Sequence, residues 1–148
     1  MKHLIKGENL QFLFREKNNN GAEFTAKSRT TNVEYTFSVS RSLFKEVWYT
    51  HVYVEMGYQN FKRLGSYFNG RIMDKRVEVT TPAAKAIRYI LKRVQLEQFS
   101  DLDANIEIMH TGSCLVCGKT LTDSDSIEHG IGPICRTIPR NTQLKMRV

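Results

Sequence analysis

All three cysteines of this 148-residue chain, and two of its four histidines, fall within one run from His110 to Cys135. The run reads His110-Thr-Gly-Ser-Cys114-Leu-Val-Cys117-Gly118, then a polar stretch, then His129-Gly-Ile-Gly-Pro133-Ile-Cys135. Cys-x-x-Cys spacing places two thiolates on one tetrahedral cation, with the backbone N–H groups of the turn aimed at the sulfurs. Gly118 suits that turn because glycine accepts positive φ without steric cost. Gly130-Ile-Gly132-Pro133 is a second tight element that doubles the chain back and brings Cys135 in as a third thiolate. His110 and His129 both have the reach to supply the fourth ligand, and only one is needed. The expectation is a closed structural Cys3His zinc site, one ion per chain.

Two other readings compete with it. Buried cysteine is often an ordinary small apolar residue, but that leaves the clustering of all three in a Gly-rich polar run unexplained. A lone Cys-x-x-Cys also serves as a redox pair, yet the strand and helix of a thioredoxin-like unit do not flank this one.

The same residues carry a resemblance. His110-to-Cys135 resembles a family of small, mostly bacteriophage-encoded zinc-finger proteins of unknown function. The family pattern is H-x-G-x-C-x-x-C-G-[KR]-x-L-T-x-x-x-S-I-x-x-G-I-G-P-x-C. A weaker likeness extends upstream through Phe24-Thr-Ala-Lys-Ser28, Tyr35-Thr-Phe37, Arg63-Leu-Gly65 and Lys85-Ala-Ile-Arg-Tyr89. The family usually has histidine at the position of His110 and not at that of His129. The resemblance therefore implies His110, Cys114, Cys117 and Cys135 as the metal ligands, and it implies no reaction.

Charge is segregated along the chain. Residues 1–100 hold 17 Lys and Arg against 9 Asp and Glu, residues 101–135 hold one Lys against six acids, and residues 136–148 hold four basic residues and no acid. A basic body and tail, with a net charge of +7, favour a polyanionic partner. The expected nucleic-acid contacts are Lys85, Arg88 and Lys92 in a helical stripe, and Arg136, Arg140, Lys145 and Arg147 in the tail. Rings interleaved with cations around Trp48–Tyr58 and Phe61–Tyr67 suit single-strand stacking. Tyr49, Tyr53 and Tyr67 are the rings expected to be exposed, although one buried aromatic face of a sheet gives the same pattern. A host polymerase, nuclease or defence factor is the alternative partner, since a basic surface also docks on an acidic protein.

At 41% hydrophobic residues the chain can bury a core. No apolar run is long enough to cross a bilayer, and the first residues lack the apolar stretch of a secretory signal. Cysteines grouped as ligands suit a reducing compartment, so host cytoplasm is expected. Enzyme signatures fit poorly. A zinc deaminase needs His-x-Glu followed by Pro-Cys-x-x-Cys, and a zinc protease needs His-Glu-x-x-His on a helix. Phosphate-cradling and dinucleotide loops are absent from the sequence, and no small-molecule substrate is evident.

The pattern along the chain predicts an α+β fold. Asn20-Gly21 marks a turn. Ala22–Ser28 and Val33–Val39 read as a hairpin, the second with strict alternation of Val33, Tyr35, Phe37 and Val39. Residues 40–47 are expected to be a link with a helical turn capped by Ser40 or Ser42. Trp48–Met56 and Phe61–Phe68 read as strands, with a further short one near Arg76–Val79. Thr81-Pro82 opens a helix over residues 82–98 with an apolar stripe of Ala83, Ala86, Ile87, Ile90, Leu91 and Val94. The expected organisation is an α+β domain at 1–100, with four or five antiparallel strands and one packed helix. A linker follows from Phe99, then a zinc module at 106–140 and a basic tail at 141–148.

Overall fold

The structure, a computed structural model, describes residues 2–14, 22–115 and 120–132. The expected turn at Asn20-Gly21, Cys117, Cys135 and the tail cations Arg136, Arg140, Lys145 and Arg147 lie outside the described residues. The architecture is α+β, mostly antiparallel sheet with a few helices packed on one side.

The strands in chain order are β1 (His3–Ile5), β2 (Ala22–Ser28), β3 (Glu34–Phe44), β4 (Val47–Gly57), β5 (Asn60–Phe68), β6 (Arg71–Asp74), β7 (Val77–Glu78) and β8 (Ile106–His110). A 3-10 helix spans Gly7–Phe14, and the α-helices are α1 (Pro82–Gln95), α2 (Phe99–Asn105) and α3 (Ser124–His129). Eight strands form one sheet in the order β1-β8-β2-β3-β4-β5-β6-β7, more than the four or five expected. From β2 to β7 the sheet is a meander in which each strand pairs with the next.

The core lies on one face of that sheet. Phe24, Phe37, Val39, Val52 and Ile72 from the strands meet Leu10, Leu13 and Phe14 of the 3-10 helix and the buried stripe of α1, Ala84, Ile87, Ile90, Leu91 and Val94. Thr81 caps α1 as expected, its hydroxyl accepting from the Ala84 N–H at 3.3 Å. The helix stops at Gln95 rather than residue 98, because Glu97 turns into the left-handed region at φ 56°.

Four expectations need correction. Residues 40–44 are not a link: β3 runs on to Phe44 and turns at Lys45-Glu46, both at positive φ. The buried residue that continues the alternation is Arg41, which sits over the Trp48 ring at 5.4 Å. A charged residue in an inward phase disguises a strand. Phe99–Asn105 is not a linker but α2, anchored by the buried Leu102 with Phe99 packed beside it. Seven residues are too few to show helical periodicity.

The boundary at residue 106 does not follow the sheet, because β8 is one of its strands. It pairs with β1 (Ile5 with Ile108, His3 with His110) and with β2 (Ala26 with Ile108, Thr25 with Met109).

Tyr67, finally, is 3% exposed, with its hydroxyl donating to Gln95 Oε1 at 2.8 Å. Burial pushes its phenol up to about 12, against a smaller downward pull from Arg93. The cause is a bulge. Val52 pairs with Gly65 and Tyr53 with Arg63, which leaves Leu64 as an extra residue and shifts the alternation by one. Beyond the bulge Tyr67 pairs with Thr50 and faces inward.

Gly65 makes that bulge possible. Its φ is +153°, and a Cβ built there would lie 2.5 Å from the Met73 carbonyl oxygen, a backbone atom that cannot step aside. Gly65→Ala is therefore expected to cost about 3 kcal/mol or more, combining backbone strain with a forced separation of β5 and β6. Denaturant titration with circular dichroism checks it, and a loss below about 1 kcal/mol would contradict the packing described.

Candidate metal centre and basic surface

The segment containing the expected ligands is built outward from β8. His110, its last residue, is fully buried and pairs with His3, whose ring stacks on it at 5.1 Å. Both ring nitrogens are engaged. Nδ1 accepts from the Gly112 N–H at 3.0 Å, and Nε2 lies 2.5 Å from the Ile127 carbonyl oxygen. The lone pair is thus on Nδ1, toward the turn that leads to Cys114, while Nε2–H donates to Ile127. Burial lowers the His110 pKa; the bond to Ile127 opposes this and the neighbouring His3 reinforces it. The neutral ring with Nε2 protonated is the form that satisfies both bonds.

Gly112 turns the chain at φ +98°, and the Leu121 N–H donates back to the Gly112 carbonyl at 2.8 Å, beside a bridge between Ser113 and Thr120. Asp123 caps α3 through the Ser126 N–H at 3.0 Å. The helix ends at Gly130, whose left-handed φ of 74° lets its N–H reach the Ser126 carbonyl at 2.7 Å. The chain then passes back over Cys114. The Leu115 N–H donates to the Gly130 carbonyl at 2.8 Å, and the Gly132 N–H donates to Cys114 Sγ at 3.3 Å.

His110 and Cys114 therefore converge on the same short stretch, Gly130-Ile131-Gly132. A Cβ on Gly130 would lie 3.0 Å from His110 Cδ2 and 3.1 Å from Leu115 Cδ1. Cys114 is buried. His129, the other histidine considered, is half-buried at the end of α3, with Nδ1 2.7 Å from the Asp125 carbonyl oxygen. Among the described residues no three of His, Cys, Asp and Glu come together as a metal-holding group. Cys117 and Cys135 are outside that set.

The expected cations of α1 share one face. Lys85 and Lys92 are exposed, and Arg88 between them pairs with Glu78 of β7 at 3.2 Å. That ion pair docks the helix stripe beside the β6–β7 hairpin, which adds exposed Arg71, Lys75 and Arg76. Arg63 of β5 pairs with Asp74 of β6 at 2.9 Å. The sequence reading missed these hairpin cations, because Lys75-Arg76 forms a two-residue turn at positive φ without the Asn-Gly signature of such turns. Arg93 instead packs over Tyr89 at 4.9 Å and bonds Gln98.

A groove of about 600 Å³ opens between the β2–β3 hairpin and α1. Ala26, Tyr35, Ala86, Ile90 and Ile106 floor it, and Lys85 stands at its rim. Nothing in the sequence marked it, since its walls come from three distant parts of the chain.

Residues 107–139 match the Family of unknown function (DUF6011). No curated protein and no solved structure matches the chain. The family match covers the last residues of β8 and the His110–Cys135 run, and leaves the rest of the sheet unassigned. None of the described helices is long and apolar enough to cross a membrane.

Gly130→Ala tests whether the two-glycine stretch is held as described. The added methyl is expected to cost about 1–2 kcal/mol through the left-handed backbone and the crowded His110 ring. Faster hydrogen exchange at the Leu115 amide, which donates to Gly130, should accompany that loss. An unchanged Leu115 exchange rate would contradict the geometry.

Proposed function

We propose that this is a non-catalytic, phage-type accessory protein of the host cytoplasm that binds nucleic acid through a basic surface. A structural zinc ion, one per chain, fixes its C-terminal segment. The observation that carries the nucleic-acid reading is the Arg88–Glu78 pair, which gathers Lys85, Lys92, Arg71, Lys75 and Arg76 onto adjoining elements. Cations on two elements of a rigid fold keep fixed spacing, and that is what tracking a phosphate backbone requires. Arg136, Arg140, Lys145 and Arg147 would add phosphate contacts of their own.

The proposed zinc ligands are His110, Cys114, Cys117 and Cys135. The two described ligands fit such a site. Cys114 accepts a backbone N–H, which favours a thiolate, and His110 donates Nε2–H to a carbonyl, the support that metal-bound histidines generally have. Ligation then falls to Nδ1, in place of the Gly112 N–H. One neutral hydrogen bond, about 1 kcal/mol net, is a small loss beside a zinc–imidazole bond. The bound ion would cross-link the segment after β8.

A second reading rests on the apolar groove, which suits a hydrophobic side chain of a host protein with an acid nearby for Lys85. In that case the protein is an inhibitor or modulator of a host polymerase, nuclease or defence factor.

Metal analysis of freshly prepared, reduced protein is expected to give about one zinc per chain. Cys114→Ser, Cys117→Ser, Cys135→Ser and His110→Ala should each lose it, and His129→Ala should keep it. Long-range proton–nitrogen NMR should show His110 metal-bound at Nδ1 and protonated at Nε2. Zinc-free protein sinks the metal centre, and release by His129→Ala alone reassigns the fourth ligand.

For the basic surface, the triple variant Lys75→Ala/Arg76→Ala/Lys85→Ala removes three phosphate contacts. The log–log salt slope of oligonucleotide binding should flatten by roughly 2–3. No binding by the intact protein at low salt, with capture of one stoichiometric host protein, would favour the second reading.

A further inference from the structure

The face of the sheet turned away from α1 carries rings that the core does not use. Tyr49 on β4 is 37% exposed and Phe68 on β5 is 45% exposed. Each lies one residue beyond the pair Thr50–Tyr67, so the two rings are cross-strand neighbours. Ser42 of β3 pairs with Tyr49 on one side, and Arg71 of β6 pairs with Phe68 on the other. Ser42, Tyr49, Phe68 and Arg71 thus form one row across four strands.

The floor beside that row is fixed by side-chain bonds. His51 Nε2 meets Ser42 Oγ at 2.7 Å and His51 Nδ1 meets Ser66 Oγ at 3.2 Å. Ser66 also accepts from Arg63 at 3.0 Å. Burial, and then the neighbouring Arg63, lower the His51 pKa. The row also connects to the helix cations. Two residues after Phe68 the chain turns at Gly70, and a Cβ there would touch the Lys92 stem at 4.0 Å. Arg71 thus ends the row beside Phe68, and the Lys92 stem reaches the adjoining turn at Gly70.

We propose that Tyr49 and Phe68 are a stacking platform for the bases of a single-stranded nucleic acid, with Arg71 and Lys92 taking the adjoining phosphates. This deepens the nucleic-acid reading above and rests on it. Two exposed rings side by side on a sheet accept any base, because every base has a π face, and the neighbouring cations match a chain with a phosphate at each step. Duplex DNA hides its base faces and has no use for the rings. A second copy of this chain is disfavoured on the same surface, since Arg71 and Lys92 would face their own kind in a protein of net charge +7.

The full-length protein is titrated with fluorescein-labelled oligothymidylate, oligouridylate and a mixed-sequence duplex of equal length, at several salt concentrations. Tyr49→Ala and Phe68→Ala are each expected to weaken one or both single strands by roughly 5- to 150-fold, and to leave duplex affinity within about two-fold. Loss with thymidylate alone, uridylate alone or both tells DNA from RNA and supports the platform. Both rings are surface residues, so the thermal midpoints should match the parent protein. Lys92→Ala should weaken single strands and duplex together and flatten the single-strand salt slope by roughly 0.7. Single-strand binding untouched by either ring variant, or single strand and duplex weakened equally by them, overturns the platform while leaving the basic surface standing. Binding of no oligonucleotide by the parent protein overturns both.

Discussion

The pairing of β8 between β1 and β2 is the constraint on which the remaining arrangement depends. Both edges of this five-residue strand are hydrogen-bonded, through Ile5 with Ile108 on one side and Ala26 with Ile108 on the other. Without β8, the backbone donors and acceptors of β2 on that side would be unpaired next to buried Ala26 and Phe24. The strand also carries His110 to a fixed depth, where it bonds Gly112 and Ile127 and so ties the following turn to α3. The Cys-rich segment is thus not suspended from the domain by a linker. Its first residues are part of the sheet.

Seating by secondary structure on one side leaves the other side free for surface chemistry. The helices cover one face and bury Phe37, Val39 and Val52, while the opposite phase of the same strands shows Tyr49, His51 and Tyr53. The bulge at Leu64 then turns Tyr67 inward and Phe68 outward. One residue slip decides which of two adjacent rings supports the core and which faces solvent. The Arg88–Glu78 pair is about one-third exposed on both sides, and solvent screening keeps its contribution to stability small. Its consequence is placement, since it sets the α1 cations beside the β6–β7 turn.

Much was legible in the sequence where local pattern and tertiary demand agree. The alternation from Tyr35 to Val39 and along β4 marked both strands and their buried faces, and Thr81-Pro82 with the stripe to Val94 marked α1. The clustering of Cys114, Cys117 and Cys135 with His110 identified a chemically distinct segment, the one that the family match covers. Where charge entered an inward position, at Arg41, the pattern failed, because a reader of polarity takes arginine as a surface residue. The turns at Lys45-Glu46 and Lys75-Arg76 carry positive φ on residues that seldom adopt it, so neither announced a hairpin.

By itself, then, the sequence determined the α+β class, the strands β2 to β5 in outline, the long helix and its cap, and the existence of a Cys/His segment. These depend on interactions within a few residues, or on a periodicity of two or 3.6 that any strand or helix imposes. The tertiary structure alone decided that Ile106–His110 joins the sheet beside residues a hundred positions earlier. It also decided that Tyr67 is buried and Phe68 exposed, and that Lys75 and Arg76 adjoin the cations of α1. Each of these follows from pairing between distant segments, where register is set by the fit of whole strands, and neighbouring residues carry no record of it.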